Sequence, residues 1–313
     1  MNRSAPRSID QYLKALREAL AGEDAALIQD ALYDAEEYLR AEVAAHPDKS
    51  ESDVLELIAS TYGAPDEVAS AYRDTEAKVK AAMTTPRKIP ESGAGAFFGV
   101  FLDPRAYTSL FFMLLSLATG IIYFTLTVTG LSLSAGLAVM IIGVPFFLVF
   151  IALTRVVSLA EGRLIEAMTG ERMPRRPVHR GQAAGFWSRV GQMLADRRTW
   201  TTLAYLILML PLGIVYFVIA VVGLSVSLAF IFAPLADLAG RYGWFDQAGD
   251  LHLGPTWLGT LWAMPLMVLA GVVLLTLLMH LARGVGRLHA MYAKALLVAP
   301  TAPRAAEFAS PGK

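Results

Sequence analysis

The chain contains no cysteine, which excludes disulfides, thiolate metal sites and a cysteine nucleophile. Charge is also scarce: Asp, Glu, Lys and Arg make up 17% of 313 residues, while hydrophobic residues reach 55% and the mean hydropathy is +0.49. An average soluble domain carries about 25% charged residues, so this balance excludes a disordered chain and argues against an ordinary soluble enzyme. There is no Gly-rich loop ending in Lys-Ser or Lys-Thr and no G-x-S-x-G elbow. The five histidines, among them His46, His179, His252 and His280, never pair at i, i+4. Phosphate-cradling, serine-nucleophile and helix-borne zinc chemistries thus lose their usual signals. No catalytic, cofactor-binding or metal-ligating residues are expected. Asp237, Asp246, Asp250 and His252 are the one combination that could form an outer metal or proton site, and they read in preference as solvated loop residues.

The formal net charge is zero, from 27 Lys+Arg and 27 Asp+Glu, but the charges are sorted. Residues 1–80 hold 9 basic and 17 acidic side chains. The remaining 18 basic and 10 acidic residues make the rest of the chain the opposite, basic half.

Those first 80 residues lack the basic start and apolar core of a signal peptide, so the amino terminus is expected in the cytoplasm. After TTPRKIPESGAG (84–95) come four apolar blocks, about 107–129, 135–154, 200–226 and 257–281. Each has the ~20 residues needed to cross a ~30 Å hydrocarbon core, and none has a charge in its middle. The connection between the second and third blocks carries Arg163, Arg172, Arg175, Arg176, Arg180, Arg189, Arg197 and Arg198. The first connection, TGLSLSAG, has none, and the third sets Arg241 against three aspartates. The positive-inside rule puts both termini and the central loop on the cytoplasmic side of the membrane. Arg155 and His280 read as interfacial anchors.

The membrane half contains an internal repeat. DPRAYTSLFFMLLSLATGIIYFTLTVTGLSLS, from Asp103, lies over DRRTWTTLAYLILMLPLGIVYFVIAVVGLSVS, from Asp196. The register aligns Gly120 with Gly213, Tyr123 with Tyr216 and Gly130 with Gly223. Gly162-Arg163-Leu164 and Gly286-Arg287-Leu288 read as the matching ends. Two crossings per copy imply parallel repeats about an axis along the membrane normal. Gly120, Gly213, Tyr123 and Tyr216 read as helix-packing positions, and Pro211 as a kink of the third crossing only. Phe97, Phe98 and Phe101, and in the second copy Phe186, Trp187, Val190 and Leu194, read as interfacial helices. An insertion at 233–255, with Trp244, Phe245 and nearby Trp257, suits an outer cap.

Ahead of the membrane half, apolar residues at helical spacing give two helices, one through Ile9, Tyr12, Leu13, Leu16 and Leu20, the other through Ile28, Leu32, Ala35, Leu39 and Val43. A third starts at Ser50-x-x-Asp53 and buries Val54, Leu57 and Ile58; a fourth opens at Pro65 and runs through Val68, Tyr72 and Val79. The expected fold is all-α: a polytopic membrane protein with four transmembrane helices and a cytoplasmic helical domain at the amino terminus. The expected division is an acidic domain at 1–83, a linker at 84–95, a membrane domain at 96–298 (copies 96–170 and 183–298) and a disordered tail at 299–313.

YLKALREAL, the acidic DALYDAEEYLRAEV and the closing IASTYGAPDEVASAYR resemble the HAAS-type signalling domain, marked by an initial Y-L-x-x-L and a closing Y/L-G-x-P-x-x-(I/V)-A. LPLGIVYFVIAVVGLSVSL and LTRVVSLAEGRLIEAMTGE resemble the membrane sensor module found at the amino terminus of many bacterial histidine kinases; Glu161-Gly162-Arg163-Leu164 matches its E-R-x-R-L-like stretch imperfectly. The residues after the fourth block leave no room for a kinase. The resemblance implies a non-enzymatic sensor that couples an envelope or lipid signal to a cytoplasmic partner such as a PadR-type transcription regulator. A homodimer is compatible with it, and direct nucleic-acid contact is not expected. Asp30, Asp34, Glu36, Glu37 and Glu42 are the candidate partner surface. Arg163, Arg172, Arg175, Arg176 and Arg180 are the candidate site for lipid headgroups or for an intramolecular clasp on the acidic arm. The alternative function is transport or handling of a small molecule or lipid.

Overall fold

A computed structural model describes residues 6–83, 93–138, 140, 143–176, 191, 193–242 and 262–298. Most of the 84–95 linker, the 299–313 tail, Arg180, Arg189, His179, Phe186, Trp187, Val190, Trp244, Phe245, Asp246, Asp250, His252 and Trp257 lie outside the described residues.

Four helices form the amino-terminal domain: α1 (Ile9–Ala19), α2 (Ala25–Ala45), α3 (Glu51–Thr61) and α4 (Pro65–Met83). Their starts are set by side-chain caps. Ser8 Oγ accepts from Gln11 N, Asp24 Oδ1 from Ala26 N and Ser50 Oγ from Asp53 N, each satisfying an otherwise unpaired donor of a first turn. Ile9, Tyr12, Leu16 and Leu20 meet Ile28, Leu32, Ala35, Leu39, Val54, Ile58 and Val68 in one apolar core. On α3 the buried set is Val54, Leu55 and Ile58, and Leu57 is 47% exposed. The expected placement of Leu57 in the core is therefore corrected: its position on the helix turns it away from the side that Leu55 and Ile58 share. Val79 on α4 is likewise exposed.

The α3–α4 corner depends on Gly63, whose φ of +105° lies in the left-handed region. The same residue accepts the buried Tyr12 hydroxyl at 2.8 Å. Burial drives that phenol's pKa upward, so it stays a donor. Gly63→Ala is expected to destabilise the domain by about 1–3 kcal/mol, read as an earlier unfolding transition in denaturant.

Helices α6 (Pro104–Leu137), α7 (Gly143–Thr169), α8 (Arg197–Arg241) and α9 (Ala263–Leu297) are long and apolar enough to cross a membrane. Large apolar side chains such as Ile122, Val149, Val156, Val222 and Leu266 face outward, the pattern of helices solvated by lipid. Short α5 (Gly93–Phe98) and a 3₁₀ turn (Gly99–Leu102) lead into α6. His280 Nε2 reaches the Phe97 carbonyl at 2.9 Å, and Arg283 pairs with Asp103 at 3.3 Å.

Every helix boundary drawn from hydropathy alone moves. TGLSLSAG is not a loop: α6 runs through it to Leu137 because Ser134 Oγ returns to the Gly130 carbonyl at 2.6 Å. Ser227 does the same to Gly223 in α8 at 2.7 Å. Such back-bonds satisfy serine within a helix, so α8 continues to Arg241 past the expected start of the insertion. Pro211 and Pro234 both sit inside that helix. Helix α7 starts at Gly143 rather than near residue 135 and continues to Thr169, which brings Glu161 into the span.

Helices α6 and α8 form the central pair, with α7 against α6 and α9 against α8. The approach is set by two glycines. A Cβ on Gly120 would lie 2.7 Å from the Met209 carbonyl oxygen, and one on Gly213 would lie 2.3 Å from that of Ser116. At the aligned ends, Tyr107 Oη donates to the Phe101 carbonyl and Trp200 Nε1 to that of Leu194.

Candidate functional site

Inside the bundle, a chain of polar groups links all four spans. Tyr123 on α6 donates to Glu161 Oε2 at 2.7 Å and Tyr205 on α8 donates to Glu161 Oε1 at 3.0 Å. Tyr205 Oη also lies 3.0 Å from His289 Nε2 on α9, and Tyr216 Oη lies 3.4 Å from His289 Nδ1. Tyr205 has one proton and gives it to Glu161, so His289 Nε2 is the donor to Tyr205 and Nδ1 is open to the Tyr216 hydroxyl. Phe112 packs over the imidazole at 4.8 Å. Glu161 and His289 are 0% and 1% exposed.

Tyr123 and Tyr216 therefore do more than pack: each holds an ionisable partner. Contacts also move the register of the second crossings. Gly130 meets Phe150 where Gly223 meets Leu278. Thr108 donates to the Met168 carbonyl where Thr201 donates to that of Leu296. These contacts set Glu161 opposite His289, one turn away from the Gly162-to-Gly286 alignment of the sequence. In the sequence Glu161 stands out only within the Glu161-Gly162-Arg163-Leu164 match, and nothing there marks it as enclosed. His289 gave no signal, since nothing in its neighbourhood marks it as a partner of Glu161.

Such a network fixes one helix arrangement, because each group in it is costly to leave unpaired away from water. Tyr205→Phe removes the one hydroxyl that serves both Glu161 and His289. It is expected to cost about 1–3 kcal/mol, seen as a lower unfolding temperature of the purified protein in nanodiscs, with Tyr107→Phe as a milder comparison.

The second feature lies at the end of the bundle where α7 finishes. Gly170, at φ +75°, closes the helix, and its N–H bonds to the Glu166 carbonyl. The chain then leaves regular structure, and Met173 is fully buried against Gly162 and among Ile165, Tyr205 and Leu297. Pinned in this way, residues 172–176 form a seat for the amino-terminal domain. Asp30 Oδ1 accepts from the backbone N–H groups of Arg175 and Arg176 at 2.8 and 2.9 Å, and Asp30 Oδ2 accepts from Arg172 Nη2 at 3.2 Å. Arg172 also pairs with Glu76 on α4.

Around this centre, Arg176 pairs with Asp34 at 2.9 Å and lies over the Tyr33 ring. Gln29 donates to the Arg176 carbonyl at 2.6 Å and accepts from Arg198 at 3.3 Å. Asp24, the cap of α2, reaches Lys294 on α9 at 2.5 Å. Burial pushes the Asp30 carboxyl above its usual range; the two backbone donors and Arg172 pull it back. The Arg175 side chain turns instead to Glu166 at 2.7 Å, which raises its pKa further.

Of the five acids expected to face a partner, Asp30 and Asp34 are thus held by the chain's own arginines. Glu36 is buried beside Arg40 at 2.6 Å, Glu42 is half-buried, and Glu37 is exposed. Arg163 is exposed on α7, away from these contacts. Among the described residues, no group of three His, Cys, Asp or Glu could hold a metal ion.

A protein-family model described as "Putative sensor" matches residues 112–297. No curated protein and no solved structure matches the chain.

Proposed function

The chain belongs to this sensor family, and from that premise we propose that its membrane domain reads an envelope or lipid condition and passes it to a cytoplasmic partner through the acidic amino-terminal domain. The protein is a multi-pass membrane protein. We assign it to the bacterial inner membrane with both termini cytoplasmic, on the strength of the arginines gathered at the end of the bundle where the domain docks. Its helical domain is read as HAAS-type from the Tyr12-Leu13 and Tyr62-Gly63-x-Pro65 patterns.

The observation that carries this reading is one continuous mechanical path. Glu161, tied to three other helices through its network, lies on the helix that runs directly into residues 172–176, where Met173 and the Asp30 contacts hold the arm. A shift of α7 that breaks the buried network therefore moves the seat of the arm. Release uncovers Asp30 and Asp34, an acidic face suited to a basic regulator of PadR type. No catalytic step and no cofactor enter this account.

The test is co-purification of that regulator with the full chain, combined with transcription measured after deletion of residues 1–83. Recovery of the regulator and altered transcription are expected. Absence of both would overturn the reading. Glu161 also supports a second reading, transport, because an ionisable residue enclosed by spans often marks a pathway. Substrate flux in liposomes containing the purified protein would favour that one.

A further inference from the structure

We propose that residues 172–176 form a phosphate-binding cradle in which the Asp30 carboxylate is the built-in occupant. Two successive backbone N–H groups, from Arg175 and Arg176, converge on one Asp30 oxygen, while Arg172 takes the other. Successive backbone donors with a guanidinium beside them are the common chemistry of oxyanion recognition. The cradle is built by the membrane domain itself, through Gly170 and the buried Met173, so it does not need the arm to exist. It also has a spare donor: Arg172 Nε is buried and makes no hydrogen bond. A carboxylate has two oxygens and leaves that donor unused. A phosphate has further oxygens to offer it.

Position adds to the chemistry. The cradle follows the last turn of α7, with Arg105 beside Gly170 and Arg198 bonded to Gln29. A place just past the end of a membrane-spanning helix suits a lipid phosphate, and anionic headgroups draw clustered arginines. Phosphate entering the cradle displaces Asp30 and, with it, the arm. The cradle thus deepens the coupling reading above by naming the chemistry that opens it. Its test involves no regulator, so the two fail separately.

The absence of cysteine allows the full chain to be spin-labelled through Ala41→Cys on α2 and Met291→Cys on α9, both exposed positions. The inter-label distance distribution then reports docking. Nanodiscs of phosphatidylcholine are compared with nanodiscs containing phosphatidylglycerol, and, in phosphatidylcholine, inorganic phosphate is exchanged for chloride at constant ionic strength. The undocked fraction is expected to rise about fivefold or more. A rise with phosphatidylglycerol alone identifies the lipid as the source, and a rise with inorganic phosphate identifies the free anion. Asp30→Asn, which puts a neutral amide in the cradle, is expected to open at a lower phosphate or phosphatidylglycerol content. Equal opening by chloride, no opening under any condition, or opening unchanged by Asp30→Asn would overturn the proposal.

Discussion

Arg172→Ala is expected to release the amino-terminal domain while leaving the four-helix bundle folded. Arg172 joins Asp30 of α2 to Glu76 of α4, with side-chain exposures of 17% and 7% for Arg172 and Asp30. Removing the cation leaves a buried carboxylate held only by backbone donors. Breaking one partner of a buried pair costs about 3 kcal/mol or more, a shift of roughly a hundredfold in the docking equilibrium. Limited proteolysis of protein in nanodiscs reads this as rapid cleavage ahead of α6 with the membrane fragment intact. The double variant Asp30→Ala/Arg172→Ala is expected to dock better than Arg172→Ala alone, because the buried carboxylate at residue 30 is gone and only the more exposed Glu76 loses its partner. Equal protease resistance of Arg172→Ala and the parent would remove the pair from the account.

The second large effect lies in the bundle. Gly213→Leu is expected to abolish recovery of monodisperse protein, since even a Cβ would sit 2.3 Å from the Ser116 carbonyl oxygen and the α6 backbone cannot move aside singly. Gly120→Leu is expected to behave alike, against the Met209 carbonyl at 2.7 Å. The informative contrast is Gly136 on the same α6, where nothing lies within 4 Å. Gly136→Ala is expected to be neutral, or stabilising by up to about 1 kcal/mol through helix propensity. Size-exclusion profiles and thermal melts of the three variants check this. If Gly213→Leu and Gly136→Ala behaved the same, the close α6–α8 approach would be wrong.

The four spans and the helices of the acidic domain were legible because hydropathy and cap residues act locally. Asp24, Ser50 and Pro65 start their helices by side-chain chemistry that any sequence displays. The span ends were not legible, because serines read as loop residues find a carbonyl four residues back, as Ser134 and Ser227 do. Glu161 stood out only within the Glu161-Gly162-Arg163-Leu164 match for a related reason: an acid seven residues, about two turns, past an apolar block looks like a polar flank, and only the tyrosines of two other helices reveal it as enclosed. The acidic face of α2 carried a signal of the right kind, negative charge awaiting a basic surface. What sequence alone left open was whose surface, and the structure places this chain's own Arg172 and Arg176 against Asp30 and Asp34.

Docking of the acidic domain on the membrane domain is the claim on which the rest depends. Carbodiimide joins a carboxylate to an amine only where they touch, and Asp24 touches Lys294 at 2.5 Å across that interface. Treating the full chain in phosphatidylcholine nanodiscs at low ionic strength and sequencing the crosslinked peptides measures it directly. The account expects an Asp24–Lys294 linkage that Arg172→Ala suppresses. Its absence from the parent protein, or its persistence undiminished in Arg172→Ala, would contradict the account.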